Sequence, residues 1–219
     1  MNIQKWIESG KPMNNIIHGD CMDIMKDIPD KFFELAIVDP PYGIGFDREY
    51  KSMVKEYPKN YKLNDWDVKP NKEYFDELFR ISKNQIIWGG NYFDLKQSSG
   101  WIFWDKLKPE NFTLAPGELA WTSFDKSVRK FTFQYHGFIC EKKENRFHPT
   151  QKPIALYRWL LQNYAKPGDK IIDTHSGSGS CAIACHLEKY DFIAIEKDPE
   201  YHALSVKRLE ELRSQGVLF

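Results

Sequence analysis

Residues 170–184 read KIIDTHSGSGSCAIA, and this stretch decides the fold. Lys170-Ile171-Ile172-Asp173 has the make-up of a short buried strand. Thr174-His175-Ser176-Gly177-Ser178-Gly179-Ser180 is a glycine-rich turn, and Cys181-Ala182-Ile183-Ala184 opens a helix. A strand, a glycine turn and a helix start make the usual cradle for a nucleotide-like cofactor. The glycines let backbone approach the ligand, and the free N–H groups of the first helical turn point at it. Gly177-x-Gly179-x-x-Ala182 also fits the loose dinucleotide fingerprint, a match of low specificity by itself. The next apolar run, Asp191-Phe192-Ile193-Ala194-Ile195, ends in Glu196. An acid about 20 residues beyond the turn is where such folds hold a ribose diol. A plain helix-capping turn explains the glycines but leaves Glu196 idle.

A second apolar run, Leu35-Ala36-Ile37-Val38, ends in Asp39-Pro40-Pro41-Tyr42. Pro41 fixes its own φ and pushes Pro40 out of the helical region, so the turn is rigid and extended. Neither proline has an N–H to compete for the nearby carbonyls. A carboxylate, a carbonyl and an aromatic face are thereby held at a strand end. This is a receptor for a planar –NH₂ group, with two acceptors for its protons and a ring for its π-face.

Outward from these two stretches, short strands are expected at about 14–17 and 34–38, with a helix near 21–28 between them. Residues 43–70 are polar, rich in Tyr, Lys and Asn, and show no sustained periodicity. A stretch of that length reads as a flexible functional loop, placed to close over a substrate at Asp39. A helix near 72–82 leads to a strand at 85–88 and the turn Gly89-Gly90-Asn91. Further strands are expected at 101–104, 118–124 and 131–138, and Pro153 suits the first turn of a helix to about Tyr164. A helix over about 199–214 closes the chain. This order implies an α/β, Rossmann-like fold, with a mostly parallel central sheet and helices on both faces. The whole chain, 1–219, reads as one catalytic domain, with residues of about 95–147 as a small target-recognition insertion.

Taken together, the two stretches resemble the S-adenosylmethionine-dependent DNA amino-methyltransferases, which methylate the N6 of adenine or the N4 of cytosine. Asp39-Pro40-Pro41-Tyr42 looks like the family's catalytic motif, and Asp173 to Ser180 looks like its cofactor loop. The catalytic motif comes first, as in the circularly permuted β-type subgroup. His18-Gly19-Asp20-Cys21 is similar to the family segment at the cofactor's adenine. His148-Pro149-Thr150-Gln151-Lys152-Pro153 is similar to the stretch that closes over the methionine end. The resemblance covers most of 14–42 and 147–205. It implies S-adenosylmethionine held by Asp20, Cys21, Asp39, His148, Thr150, Lys152, Asp173, His175, Ser176, Gly177, Ser178, Gly179 and Glu196. Of these, Asp20 and Cys21 belong at the adenine, Glu196 at the ribose, and Ser176 to Gly179 around the methionine. Where the family usually reads Asp-Pro-Phe, this chain has Asp173-Thr174-His175, so His175 is expected to stack or hydrogen-bond in place of the ring. No ligand cluster accompanies His175, so no metal is expected.

Composition agrees with a compact cytosolic enzyme. No apolar run approaches the ~20 residues of a membrane span, and Met1-Asn2-Ile3-Gln4-Lys5-Trp6 lacks a signal peptide's apolar core. The four cysteines, at 21, 140, 181 and 185, have no Cys-x-x-Cys spacing, and Cys181 and Cys185 read as core. With 31 basic and 31 acidic residues, the chain must segregate its charge if it is to bind nucleic acid. It does so between Lys126 and Lys152, where seven basic residues face only Glu141 and Glu144. Lys126, Arg129, Lys130, Lys142, Lys143 and Arg146 are therefore expected to contact DNA phosphates. The interleaved Phe131, Phe133 and Tyr135 alternate as one apolar strand face.

The expected partner is double-stranded DNA, and no membrane. A homodimer sharing DNA contacts and a cognate restriction endonuclease are left open. The expected setting is cytoplasmic, at a prokaryotic nucleoid or from a phage. Asp39, Pro40, Pro41 and Tyr42 are the expected catalytic residues. Hydrogen bonds from –NH₂ to the Asp39 carboxylate and the Pro40 carbonyl would localise the nitrogen lone pair, and the carboxylate would face the positive charge that grows on nitrogen. Three other readings stand beside N6-adenine methylation. An N4-cytosine enzyme uses the same receptor, but that group more often has Ser at the position of Asp39. A dehydrogenase leaves Asp39 to Tyr42 idle and has only 23 residues after Glu196. A catalytically inactive DNA-binding relative has only the His175 departure in its favour.

Overall fold

The computed structural model describes residues 3–10, 13–45, 67–108, 115–136, 139–140 and 146–215. Among these, the strands are β1 (Asn15–His18), β2 (Phe33–Val38), β3 (Ser82–Trp88), β4 (Trp101–Asp105), β5 (Gly117–Thr122), β6 (Arg129–Thr132), β7 (Tyr135–His136), β8 (Ile139–Cys140), β9 (Lys170–Asp173) and β10 (Asp191–Glu196). Eight of them form one sheet in the order β1-β10-β9-β2-β3-β5-β4-β6, while β7 and β8 pair only with each other. From β1 to β3 every pairing is parallel. β5 runs antiparallel to both β3 and β4, and β6 is parallel to β4. The mixed, mostly parallel sheet is the one expected.

Period-two alternation divides the core between the two faces of this sheet. Leu35 and Ile37 of β2 join Ile86, Trp88 and Ile171 on one face, while Ala36 and Val38 join Ile87, Ile172, Ile193 and Ile195 on the other. The first face is covered by α4 (Ile154–Tyr164), α5 (Ser180–Leu187) and α6 (Pro199–Ser214), which contribute Leu156, Leu160, Ala184 and Leu209. Met25 of α2 (Cys21–Met25) and Tyr74, Phe75, Leu78 and Ile81 of α3 (Lys72–Ile81) cover the second. Cys181 and Cys185 are free and buried, as expected of core residues. The side chains of Asp198 and Asn71 cap α6 and α3, accepting from the N–H groups of Glu200 and Tyr201 and of Tyr74.

Three local readings differ from the sequence expectation. A short N-terminal helix, α1 (Ile3–Glu8), was not expected. The run 131–138 is not one strand. After Thr132 the chain leaves β4 and Tyr135 pairs with Cys140 instead. Finally, the segment read as an insertion at 95–147 supplies β4, β5 and β6 to the central sheet itself. Of the loop at 43–70, residues 46–66 lie outside the described residues. Its described ends meet, with the Gly43 N–H donating to Asp67 Oδ1 at 2.8 Å.

Candidate active site

β2 and β9 are parallel neighbours in which Leu35 pairs with Ile171 and Ala36 with Ile172. Asp39 and Asp173 therefore leave the sheet side by side. From β9 the chain crosses over to β10 on one side, and from β2 to β3 on the other. This is a topological switch point, where open α/β sheets bind ligands beyond the strands' carboxyl ends. The two motifs, remote in sequence, meet there as expected.

The glycine turn is tied to its neighbours from both sides. Gly177 and Gly179 have φ of +50° and +74°, and a Cβ on Gly179 would lie 3.0 Å from Ser205 Cβ. The Ser176 N–H donates to the Ile195 carbonyl at 2.8 Å. Glu196 accepts from the Gly177 N–H at 2.7 Å and, through its other oxygen, from the Asp198 N–H at 2.9 Å. Burial raises its carboxyl above the ordinary value, against those two donors. Ser178 faces inward, to Ser180 Oγ at 3.0 Å. The buried Ser176 Oγ has no partner among the described residues.

Asp173 is 3% exposed and accepts from the His175 N–H at 3.0 Å. Burial pushes its carboxyl up to about 8, against that donor. The His175 ring meets Tyr74 edge-on at 5.2 Å, and its Nδ1 lies 3.0 Å from Thr174 Oγ1. Burial pulls its imidazole down to about 4, so at neutral pH it is an uncharged ring, as the usual Phe would be. His148 is also held down to about 4, by burial and then by the charge of Lys152. Its ring packs edge-on against Tyr201 at 4.4 Å and closes over Gly177, where a Cβ would sit 3.3 Å away. Thr150 Oγ1 lies 3.2 Å from His148 Nδ1. Across the sheet ends, Asp20 caps α2 through the Met22 N–H at 2.9 Å and pairs with Lys197 Nζ at 2.8 Å. The Lys197 partner lowers its carboxyl pKa. Burial pushes the neighbouring Cys21 thiol up to about 12, which removes it as a nucleophile.

The Asp39 carboxylate, expected to receive the amine, is engaged by its own chain. Asp39 Oδ1 accepts from Tyr42 OH at 2.7 Å, and Oδ2 accepts from Lys152 Nζ at 2.5 Å. Lys152, expected at the cofactor, is thus seated on the Asp39 carboxylate. The same ammonium is 2.9 Å from Glu118 Oε2, and Lys106 pairs with the other Glu118 oxygen. Burial works against all these charges. In Asp39 it prevails and the pKa rises, whereas in Glu118 the two lysines outweigh it and hold the carboxyl below its ordinary range. The two carboxylates likewise keep Lys152 charged, although its side chain is only 4% exposed. The Tyr42 ring stacks on Tyr92, with centroids 5.1 Å apart and planes 19° from parallel. It also presses on Gly89, where φ is +66° and a Cβ would stand 2.2 Å from Tyr42 Cε1. The site residues not anticipated are Glu118, Lys106, Tyr92 and Tyr74. Glu118 alone carried a visible signal, as the only acid in the strand Gly117-Glu118-Leu119-Ala120-Trp121-Thr122.

The basic segment divides between the two ends of the sheet. Lys126 Nζ and Arg129 Nη2 donate to Asn163, the former to its carbonyl and the latter to its Oδ1. Asn163 is near the far end of α4, which starts beside Lys152. Eleven residues at 1.5 Å each put these two cations roughly 15 Å from the Asp39 end. The structure therefore does not bring Lys126 and Arg129 to the site. Lys130 pairs with Asp105 at 2.7 Å, and the Arg146 guanidinium lies 4.6 Å from the Tyr135 ring centroid. Phe131 and Phe133 pack with each other, and Phe131 with Trp159 of α4, as core rather than nucleic-acid contacts. Lys142 and Lys143 lie outside the described residues.

Residues 125–207 match the sequence model of the N6/N4 methyltransferase family, described as DNA methylase. The chain is 25% identical to the methylase YubD of Escherichia coli (strain K12), over 90% of both proteins. It is also 25% identical to the type II methyltransferase M2.MboI of Moraxella bovis, over 97% of this chain and 93% of that protein. Among solved structures, M1.HpyAVI in complex with SAM superposes with a TM-score of 0.57 at 23% identity, over 89% of this chain and 99% of that one.

Proposed function

We propose that this chain, a member of the S-adenosylmethionine-dependent DNA methyltransferases, methylates the N6 amine of an adenine flipped out of double-stranded DNA. One observation carries the reading. Asp39 stands at the switch point, beside the glycine cradle, and is followed by Pro40-Pro41-Tyr42. The cradle suits S-adenosylmethionine. Ser176 Oγ is buried without a partner among the described residues, the Gly177 and Gly179 backbone is open to close approach, and Asp173 is a buried acid suited to the cationic methionine end. Asp20, Cys21 and Glu196 would hold the adenosine, while His148, Thr150 and His175 would wall the methionine.

The cofactor supplies a methyl group already activated on a sulfonium, which leaves the protein the task of positioning. Asp39 Oδ1 and the Pro40 carbonyl accept the two amine protons. For that, the Tyr42 hydroxyl leaves Oδ1 and its ring turns to stack on the base. Lys152 remains on Oδ2, where its charge opposes the burial that raises the Asp39 carboxyl. The negative charge then faces the nitrogen as it becomes cationic. A base within the duplex cannot reach this receptor, so it is flipped out.

Cytosine N4 is the second reading, since the matched family spans both amines. Asp39, where that class more often has Ser, favours adenine. We also propose a cytoplasmic setting at a prokaryotic nucleoid or in a phage-encoded system, with a homodimer and a cognate restriction endonuclease as partners. The relative M2.MboI, a type II methyltransferase, motivates the nuclease. No described helix is long and apolar enough to cross a membrane. The test is to incubate the protein with random-sequence duplex DNA and methyl-labelled S-adenosylmethionine, then map the modified positions. Label at one base in a fixed sequence context is expected, and no transfer to DNA overturns the reading.

A further inference from the structure

We infer that Glu118 is a positioning residue for the methyl transfer, acting through Lys152 to set the charge and orientation of Asp39. The inference rests on the function proposed above and adds a residue from β5, outside the catalytic and cofactor motifs.

The geometry is a four-member chain of alternating charge. Lys106 binds one oxygen of Glu118, Glu118 Oε2 lies 2.9 Å from Lys152 Nζ, and Lys152 Nζ lies 2.5 Å from Asp39 Oδ2. Each member comes from a different element. Glu118 faces Trp104 across the β4–β5 ladder, Lys106 follows β4, Lys152 precedes α4, and Asp39 follows β2. Lys152 is nearly sealed from solvent, with its ammonium 5.3 Å from the Trp88 ring centroid. A buried ammonium with one carboxylate partner would be drawn wholly onto that partner. Glu118 gives it a second one, so Asp39 keeps charge for the incoming amine. Glu118 also lies 3.5 Å from the Tyr42 hydroxyl, which offers that group a second acceptor as it leaves Asp39.

Other ionisable groups also face this chain. Asp173 on β9, Tyr157 on α4 and Tyr74 on α3 couple to Asp39, His148 couples to Lys152, and Lys108 couples to Glu118. Asp173 also couples to Lys152, Tyr157 also couples to Glu118, and the Tyr42 hydroxyl touches both Asp39 and Lys152, so all of them are left unchanged in every variant and form a common background.

The experiment follows methyl transfer to duplex DNA against pH for the wild type, Glu118→Gln, Lys152→Gln and the double variant. Melting temperature and calorimetric cofactor binding serve as folding controls. Activity requires ionised Asp39, so its titration forms the acid limb of kcat. Removing the negative charge at Glu118 should move that limb to lower pH. Removing the positive charge at Lys152 should move it to higher pH, each by roughly one unit or more. The double variant should fall between them, and kcat on the plateau should drop in each single variant. Damage that is merely structural would not shift the limb in opposite directions. If Lys152→Gln does not fold, the direction of the Glu118→Gln limb alone decides. An active wild type whose Glu118→Gln limb stays put or moves up overturns the role of Glu118 and leaves the function standing. A wild type that transfers no methyl to DNA overturns both.

Discussion

Lys152 Nζ lies 2.5 Å from Asp39 Oδ2, although 113 residues separate the two in the chain. The contact joins the segment 148–153 to the Asp39 turn. Through His148, which closes over Gly177, the same segment reaches the glycine turn. One short stretch thus touches both halves of the site.

Asp39→Ala should lower methyl transfer by about a hundredfold or more, because it removes the group facing the developing charge. It also leaves Lys152 with Glu118 as its remaining carboxylate, so the melting temperature should fall as well. S-adenosylmethionine should still bind, more weakly, as calorimetry would show. A purified variant within about tenfold of wild-type activity would remove Asp39 from the mechanism.

Glu196→Ala should act on affinity. Both its oxygens already brace the backbone, at Gly177 and Asp198, and each can accept one bond more. Losing a charged hydrogen bond to a ribose hydroxyl costs about 1.5–3 kcal/mol, or roughly tenfold to a hundredfold in Kd. Saturating cofactor should restore much of kcat. Failure to restore any activity would contradict the ribose role.

Asp173 should make cofactor binding depend on pH. Its carboxyl is pushed up to about 8, so it is largely neutral below that pH in the free protein. A cationic ligand favours the ionised form, and binding should release a proton. Affinity should therefore rise between about pH 6 and 7.5, by at most about tenfold per unit. For stability the sign is reversed. A raised acid holds more protons when folded, so the stability it contributes is full below about pH 4 and lost as pH rises toward 8. Calorimetry in buffers of different ionisation enthalpy measures the proton release. Asp173→Asn should abolish it, and identical pH profiles for variant and wild type would refute the assignment.

DNA affinity should follow the end of the sheet on which a cation lies. Lys108 and Arg146 belong with Lys106 at the carboxyl ends of β4 and β6, where burial and their mutual repulsion pull Lys108 down to about 8. Neutralising Lys108 and Arg146 should flatten the salt dependence of binding, by up to about 0.9 logarithmic units for each of the two that meets a phosphate. Neutralising Lys126 and Arg129, at the opposite end, should leave the slope unchanged. The reverse pattern would place DNA on the far edge of the sheet.

Much of this arrangement was legible in the sequence where function and local geometry coincide. The run 170–184 made the strand, turn and helix legible, because glycines after an apolar strand admit the positive φ found at Gly177 and Gly179. Asp39 to Tyr42 was legible because two prolines leave the backbone little choice. Glu118 and Lys106 were not, since their approach to Lys152 depends on β5 running antiparallel between β3 and β4. Nothing local encodes that pairing. The placing of Lys126 and Arg129 was not legible for a similar reason. A cluster of charge in sequence does not say at which end of a strand each cation will sit. The sequence motif places Lys152 at a cofactor, whereas the fold puts Asp39 within its reach.

The central claim is that Asp39 presents an adenine N6 amine to the methyl donor. The most direct test is to digest DNA treated with the protein and S-adenosylmethionine to nucleosides and identify the product by mass spectrometry. N6-methyladenine is predicted, present with the wild type and absent with Asp39→Ala. N4-methylcytosine as the only product would contradict the adenine assignment while leaving the cradle and the receptor in place, and no methylated nucleoside at all would contradict the account as a whole.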